Sequence, residues 1–242
     1  MNINISIEAR MTSSRLPGKV LKLINNKPNL EIMIERIQKA KLVNNIIVAT
    51  TTNAEDDVIV DWCNVNGINY FRGSENNVYE RVVKAHETFK SDIVVELTAD
   101  CPLLDPTLVD EAITIFLNND YEYVSNGLET TYPIGTGVQV YSLDTLKSVA
   151  INRQLEYQDK EHVTPYLYTS GKYTLFNIEA PSYLAMPELS ITLDTIEDFE
   201  LIETICKHFD NFDFSLEEII KFVKKNPKLL EINQQIHRKG LD

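Results

Sequence analysis

The chain has 242 residues, 43% of them hydrophobic and 24% charged, with a formal net charge of -13. That size suits one α/β domain with embellishments, and no apolar run approaches the roughly 18 residues of a membrane span. The acidic balance opposes approach to nucleic acid or anionic membrane, and MNINISIEAR lacks the basic-then-apolar pattern of a secretory signal, so a cytoplasmic protein is expected.

INISIEA alternates apolar and polar residues and reads as a strand, and MTSSRLPGK follows as loop from its Ser, Pro and Gly. LEIMIERIQKAKL sets Leu30, Met33, Ile34 and Ile37 at helical spacing, with Asn29 as the expected N-cap. NNIIVATT reads as a buried parallel strand and AEDDVIVDWCNVNG as an acid-started helix that stops at Gly67. INYFRG and NVYERVVKAHETFK repeat the strand and helix. SDIVVELTAD is a fourth strand, and DPTLVDEAITIFLNN a helix capped by Asp105 with Pro106 at its first position. Four βα units in series imply a parallel sheet with helices on both faces.

After residue 120 the rhythm changes. YEYVSNG, TGVQVYS, KYTLFNIEA and ELSITLD read as strands, and SLDTLKSVAINRQ and EHVTPYLYTS as helical connections. A mixed β insertion over about 121–180 is expected on the same core, not a second domain. TIEDFELIETICKHF and SLEEIIKFVKKNPKLLEINQQIHRKG, broken at Pro227, would close a single domain of 1–242 with a helical extension over about 205–242.

Residues 9–30 hold Arg10, Arg15, Lys19, Lys22 and Lys27 without one Asp or Glu, where a solvated basic loop is the bland reading and an anion site the sharper one. Backbone N–H groups around Gly18, with Arg10, Arg15 and Lys19, could hold a polyphosphate. The loop is not a Walker A motif, because Ser13 stands where Gly is needed and Val20 where a magnesium-binding hydroxyl is needed; no GxGxxG occurs either. Cys63, Cys101 and Cys206 are widely spaced and odd in number, which points to neither a disulfide framework nor a zinc site.

Ligands of open parallel sheets sit beyond the carboxyl ends of the strands. Asp100 in TADCP and Asp194 in ITLDTIED both follow strand candidates. Each could simply cap a turn or a helix. Together, facing a phosphate loop, they make a sensible Mg²⁺ site, since Mg²⁺ favours one or two carboxylates plus substrate phosphates.

The ordered set ARMTSSRLPGKVL, KPNLEIMIERI, IIVATT, FRGSENNVYERV, ELTADCPLLDP, TYPIGTGVQVYS, EHVTPY and LDTIEDFELI resembles the SpsF-type cytidylyltransferases, relatives of the CMP-KDO and CMP-sialic acid synthetases, over residues 3 to about 205. The resemblance implies a GT-A-like (Rossmann-like) α/β nucleotidyltransferase with a mixed, mostly parallel sheet flanked by helices. It implies CTP and a small acidic sugar as substrates, a CMP-sugar for surface polysaccharide or glycan biosynthesis as product, and a homodimer.

It also implies roles. Arg10, Arg15 and Lys19, with Ala9 and Gly18 of the same loop, would bind the nucleotide; Arg15, Lys19 and Asp100 would act in catalysis; and Asp100 with Asp194 would bind Mg²⁺. Ser74 and Arg81 match the family's base-side segment, and Gln139 and His162 match segments that look toward the sugar. For His162 the bland reading is a helix-start histidine satisfied locally. Departures from the pattern are Glu8, where Gln or Pro is frequent, Thr12 and Ala99, where Gly is usual, and Ile196 in place of Pro. Two rival readings stand beside this one: a nucleotidyltransferase joining another nucleotide to a sugar 1-phosphate, and a non-catalytic nucleotide-binding protein of a polysaccharide pathway.

Overall fold

The computed structural model describes residues 1–238. Its centre is a seven-stranded sheet of β1 (Ile3–Glu8), β4 (Asn45–Thr51), β5 (Asn69–Gly73), β6 (Ile93–Thr98), β7 (Tyr123–Ser125), β8 (Gln139–Ser142) and β9 (Leu175–Asn177), in the order β5-β4-β1-β6-β8-β7-β9. β5, β4, β1 and β6 pair in parallel; β8 runs against both β6 and β7, and β7 pairs in parallel with β9. The sheet is therefore mixed and mostly parallel. A small hairpin of β2 (Leu23–Ile24) and β3 (Lys27–Pro28) turns through Asn25 and Asn26, both at positive φ, as tight two-residue hairpins require.

The helices are α1 (Asn29–Ile37), α2 (Asp57–Asn66), α3 (Val78–Thr88), α4 (Pro106–Asn118), α5 (Leu143–Asn152), α6 (Tyr157–His162), α7 (Pro165–Thr169), α8 (Ile196–Phe209) and α9 (Leu216–Lys225). Side chains alternate across a strand, so each strand divides its residues between two layers. Ile3, Ile5, Ile7, Val95, Leu97, Val124 and Val140 pack with α1, α2, α4, α8 and α9 in one core. Val94, Tyr123 and Tyr141 pack with α3, α5 and α7 in a smaller one. That second face also carries Ser6, Glu8, Glu96, Thr98 and Gln139, which leaves it polar near the strand ends.

β4 and β6 flank β1 on opposite sides, so the strand order reverses between β1 and β6 and opens a crevice beyond their carboxyl ends. Among the described residues no helix is long and apolar enough to cross a membrane, and Cys63, Cys101 and Cys206 are buried and unbridged.

Several expectations are corrected. Asn29 does not cap α1; it is the first helical residue, after Pro28, and its buried amide donates to the Ala99 carbonyl at 2.6 Å. ELSITLD is not a ladder strand. It is extended and makes only a bridge, Ser190 to Ile134, because the opposing segment contains Pro133 and Gly135, which cannot continue a ladder. Gly135 lies at φ +95°, and a Cβ there would sit 2.5 Å from the Thr192 backbone nitrogen. EHVTPYLYTS is not one helix, since Val163 interrupts it between α6 and α7. The predicted closing helix ends at Lys225 and passes at Pro227 into a 3-10 segment, and its last residues, beyond 238, lie outside the described residues.

His86 on α3 is fully buried, with Nδ1 on the Ser91 hydroxyl and Nε2 unpaired among the described residues. Burial lowers its pKa to about 3. An unfolded histidine takes up a proton near pH 6.5 while the native one does not, so native stability should fall by up to ~1.4 kcal/mol per pH unit between about 6.5 and about 3 from this group alone. Urea unfolding of His86→Gln at pH 7 and pH 5 should show a shallower loss than the wild type, and equal losses would contradict the assignment.

Candidate active site

The basic loop is built to aim one ammonium. Gly18 adopts φ 72° and its N–H donates to the Met11 carbonyl at 2.9 Å, folding the loop back on itself. A 3-10 turn, Lys19–Leu21, follows, and Val20 is buried within it, which directs the preceding Lys19 toward the crevice. The loop's start is held by Asp56, whose Oδ1 accepts from the Met11 N–H at 2.7 Å.

Asp100 and Asp194 meet at that ammonium. Lys19 Nζ lies 2.9 Å from Asp100 Oδ2 and 2.8 Å from Asp194 Oδ1, and Arg15 lies 2.9 Å from Asp194 Oδ2. The two turns are also joined through the backbone, since Leu193 N–H donates to the Asp100 carbonyl at 2.7 Å. Asp100 Oδ1 accepts from the Thr98 hydroxyl at 2.6 Å. Burial pushes the Asp100 carboxyl up, but Lys19 and Thr98 outweigh it and leave it below the usual carboxylate range. Burial likewise opposes the charge on Lys19, and the two aspartates outweigh it and raise its pKa. Asp194 does not cap α8; Thr195 does, in a reciprocal box with Asp198.

Asp198 fixes the Asp194 turn from below. Its Oδ2 accepts from the N–H groups of Asp194 and Thr195, each at 3.0 Å, and Arg238 and Asn233 donate to the same carboxylate.

The crevice has two lobes. The first, about 520 Å³, is lined by Ala9, Arg10, Arg15, Lys19, Arg81, His162 and Thr164, among others. The second, about 620 Å³, is lined by Tyr123, Ser125, Gly135, Gly137, Thr192 and Arg238, among others. Glu96, Thr98, Asp100, Gln139, Tyr168 and Asp194 line both and form the shared wall.

Of the residues singled out from sequence, Ala9, Arg10, Arg15, Lys19, Arg81, Asp100, Gln139, His162 and Asp194 line the first lobe. Gly18 does not; it shapes the turn behind Lys19. Ser74 does not line it either: its side chain is exposed, and its carbonyl accepts from the buried Arg81 guanidinium. Arg10 lies 3.6 Å from both Glu75 and Glu161. Lys22 and Lys27 leave the crevice altogether, Lys22 over the Phe199 ring and Lys27 beside Glu35.

Sequence reasoning missed Glu96, although a lone carboxylate inside IVVELT was a signal, and Thr164, which bonds to Gln139. It also missed Val163, whose φ of 65° and ψ of -58°, with Thr164 N–H on the His162 carbonyl at 2.7 Å, make a γ-turn of the strained hand.

A family model described as cytidylyltransferase matches residues 5–236. The chain belongs to the cytidylyltransferase family. It is 34% identical over 229 residues to the spore coat polysaccharide biosynthesis protein SpsF of Bacillus subtilis, covering 91% of this chain and 93% of that one. A solved structure of a cytidylyltransferase from Leptospira borgpetersenii superposes with a TM-score of 0.91 at 32% identity, over 98% of this chain and 100% of that one. A CMP:2-keto-3-deoxy-manno-octonic acid synthetase complexed with CTP shares the fold, with a TM-score of 0.65 at 18% identity over 86% of this chain and 100% of that one. This cytidylyltransferase is thus a CTP-dependent nucleotidyltransferase with a Rossmann-like fold.

Lys19→Met should leave Asp100 and Asp194 without their common cation. Pyrophosphate release should fall by about 100-fold or more, the scale of losing one charged group that stabilises a transition state. Circular dichroism should show the fold retained, and near-normal turnover would remove Lys19 from the chemistry.

Proposed function

We propose that this cytidylyltransferase transfers CMP from CTP to a hydroxyl of a small sugar acid of the 2-keto-3-deoxy class, releasing pyrophosphate and supplying a CMP-sugar for surface polysaccharide or glycan synthesis. The observation that carries the reading is the convergence of Arg15 and Lys19 on Asp100 and Asp194 at the wall between two lobes. The nucleotide takes the first lobe, where the loop cations are, and the acceptor takes the second. The octonic acid synthetase bound to CTP and the spore coat polysaccharide role in the name of SpsF support the choice of substrates and pathway.

Asp100 and Asp194 fit Mg²⁺. Two carboxylates converging on one ammonium suit an ion that takes one or two carboxylates beside substrate phosphates. Among the described residues no group of three or more His, Cys, Asp or Glu offers a fuller cage. When bound there, Mg²⁺ would neutralise phosphate charge and lower the pKa of the attacking hydroxyl.

The chain's own residues do the rest. The sugar oxygen attacks the α-phosphorus in line, and the bond to the β-phosphate oxygen breaks. Lys19 and Arg15 exchange their aspartates for phosphate oxygens and stabilise the charge on departing pyrophosphate. Arg10 reaches the same phosphates from beside Glu75 and Glu161. Arg81 lies on the base side, with Ser74 acting through its carbonyl. Gln139, on the wall common to both lobes, faces the acceptor; His162, which the family resemblance put on the sugar side, lines the first lobe instead.

Pyrophosphate release should be measured with CTP, UTP, GTP and ATP, each against 3-deoxy-manno-octulosonate, N-acetylneuraminate and glucose 1-phosphate. Release should require CTP, an acidic sugar and Mg²⁺, and should disappear with EDTA or in Asp100→Ala. Turnover of UTP with the sugar phosphate in place of CTP with an acid would overturn the reading.

A further inference from the structure

Two buried carboxyl groups in the crevice take no part in the steps above. Glu8 ends β1 and Glu96 lies within β6, on the same face of neighbouring strands; in register Glu8 faces Thr98 and Ser6 faces Glu96. Glu96 is 3% exposed, yet it lines both lobes. Its bonding is one-sided: the Tyr141 hydroxyl donates to Oε2, and Oε1 has no partner among the described residues.

Directly across in register stands Gln139 on β8. Its Oε1 accepts from the Tyr123 hydroxyl and the Thr164 hydroxyl, each at 2.6 Å. Two donors on the carbonyl fix which way the amide points. Its Nε2 remains a donor without a partner among the described residues.

We infer that Glu96 reads the acceptor, forming with Gln139 a pair of hydrogen-bond donors, side by side across β6 and β8, that holds the acceptor's carboxylate. The inference rests on the acidic-acceptor reading given above. When this carboxyl group is protonated, Oε2 accepts from Tyr141 and the proton sits on Oε1, so that atom presents an O–H to the cavity. Two adjacent donors complement a group that only accepts and has two oxygens, which describes a carboxylate. In the second lobe the one cation among the described lining residues is Arg238, and its guanidinium is engaged by Asp198. A carboxylate beside Glu96 and Gln139 meets uncharged donors, the lobe's two aspartates, Asp100 and Asp194, being paired with Lys19 and Arg15, and a further negative charge at Glu96 would expel it.

The surroundings keep that charge off. Burial raises Glu96 to about 8, against the Tyr141 bond. The groups around it are Glu8 on β1, Tyr141 on β8, Tyr123 on β7 and Tyr168 on α7, with Glu161 and His162 of α6 in the same lobe. Glu8 is raised by burial and by Glu96, while Arg81 on α3 opposes this, so the nearest cation serves Glu8 and not Glu96. A carboxylic acid kept neutral by its site so that it can donate is an established enzyme device.

Steady-state kinetics with saturating CTP test the inference, using whichever of 3-deoxy-manno-octulosonate and N-acetylneuraminate the wild type turns over. With a midpoint of about 8, the protonated fraction drops about tenfold between pH 7 and pH 9, so KM for the acid should rise about tenfold while kcat and CTP affinity stay level. Glu96→Gln, which donates but has no proton to lose, should flatten that rise. Glu96→Ala should raise KM by about tenfold or more at pH 7, with CTP binding by calorimetry unchanged. Infrared difference spectra between wild type and Glu96→Gln at pH 7 should contain a protonated carboxyl stretch from Glu96. Absence of that band, an unchanged KM in Glu96→Ala, or a loss confined to kcat or to CTP affinity overturns the inference alone. If CTP binds and neither acid is turned over, the acidic-acceptor reading fails and the inference falls with it.

Discussion

The site depends on a single shared ammonium. Lys19 Nζ sits within 3 Å of oxygens from Asp100 and Asp194, acids 94 positions apart in the chain. Two carboxylates brought that close would repel each other in a partly dry crevice, and the repulsion is removed only by a cation between them. Several weaker features exist to put that cation there: the positive φ of Gly18, the burial of Val20, and the amide of Asn29, which braces the Ala99 carbonyl next to Asp100. The same arrangement explains how an acidic protein can bind a polyanion. Arg10, Arg15 and Lys19 are each paired with an acid in the free chain. On the proposed function a triphosphate would displace carboxylates, and the acids freed at Lys19 would be those that meet its counter-ion. Such binding would exchange one set of charge-assisted contacts for another, since no open positive patch stands there to be filled.

The sheet sorts structural work from chemical work by strand parity. On β1 and β6 one set of alternate residues is wholly apolar and is sealed under five helices, while the other set ends in Glu8 and Thr98 at the crevice. The antiparallel entry of β8 matters for the same reason. Running against β6, it brings Gln139, its first residue, across from Glu96 and its third, Tyr141, across from Val94. A parallel strand would need a longer crossover to reach that place. The segment that follows Pro187 pairs in no regular ladder; held by the close approach of Gly135, it delivers Asp194 to the mouth of the same crevice.

Much of this was legible because the signals are local. The four opening βα units follow hydrophobic periodicity and caps, the loop cations and Asp100 stand just after strands, where open α/β sheets place their ligands, and Asp194 follows a run with a strand's alternation. What was not legible depends on contacts between distant segments. Asn29 has the composition of a cap, yet a carbonyl 70 positions away claims its side chain. ELSITLD has a strand's alternation, but strand formation needs a partner able to pair, and Pro133 and Gly135 deny it one. Lys22 and Lys27 counted toward a basic patch until aromatic rings and Glu35 claimed them. Glu96 could have been suspected from its place within an apolar strand, but its neighbours Tyr141 and Gln139 come from a strand that the sequence alone cannot pair with β6.

The strained turn at Val163 shows where stability was yielded to the site. A β-branched residue at φ 65° is disfavoured by about 1–3 kcal/mol, and it persists here because the turn is held on every side. Val163 is 2% exposed, its N–H donates to the Asp159 carbonyl at 3.0 Å, and the next N–H closes on His162. A helix running straight through from α6 to α7 would avoid the strain, but it would turn His162 and Thr164 away from the first lobe, which both now line. With the turn, Thr164 reaches Gln139 and settles which end of that amide faces the cavity. A backbone defect two residues long thereby fixes a hydrogen-bond polarity on the far side of the crevice, which a glycine at the same position would do without strain but also without the buried side chain that anchors α6 to α7.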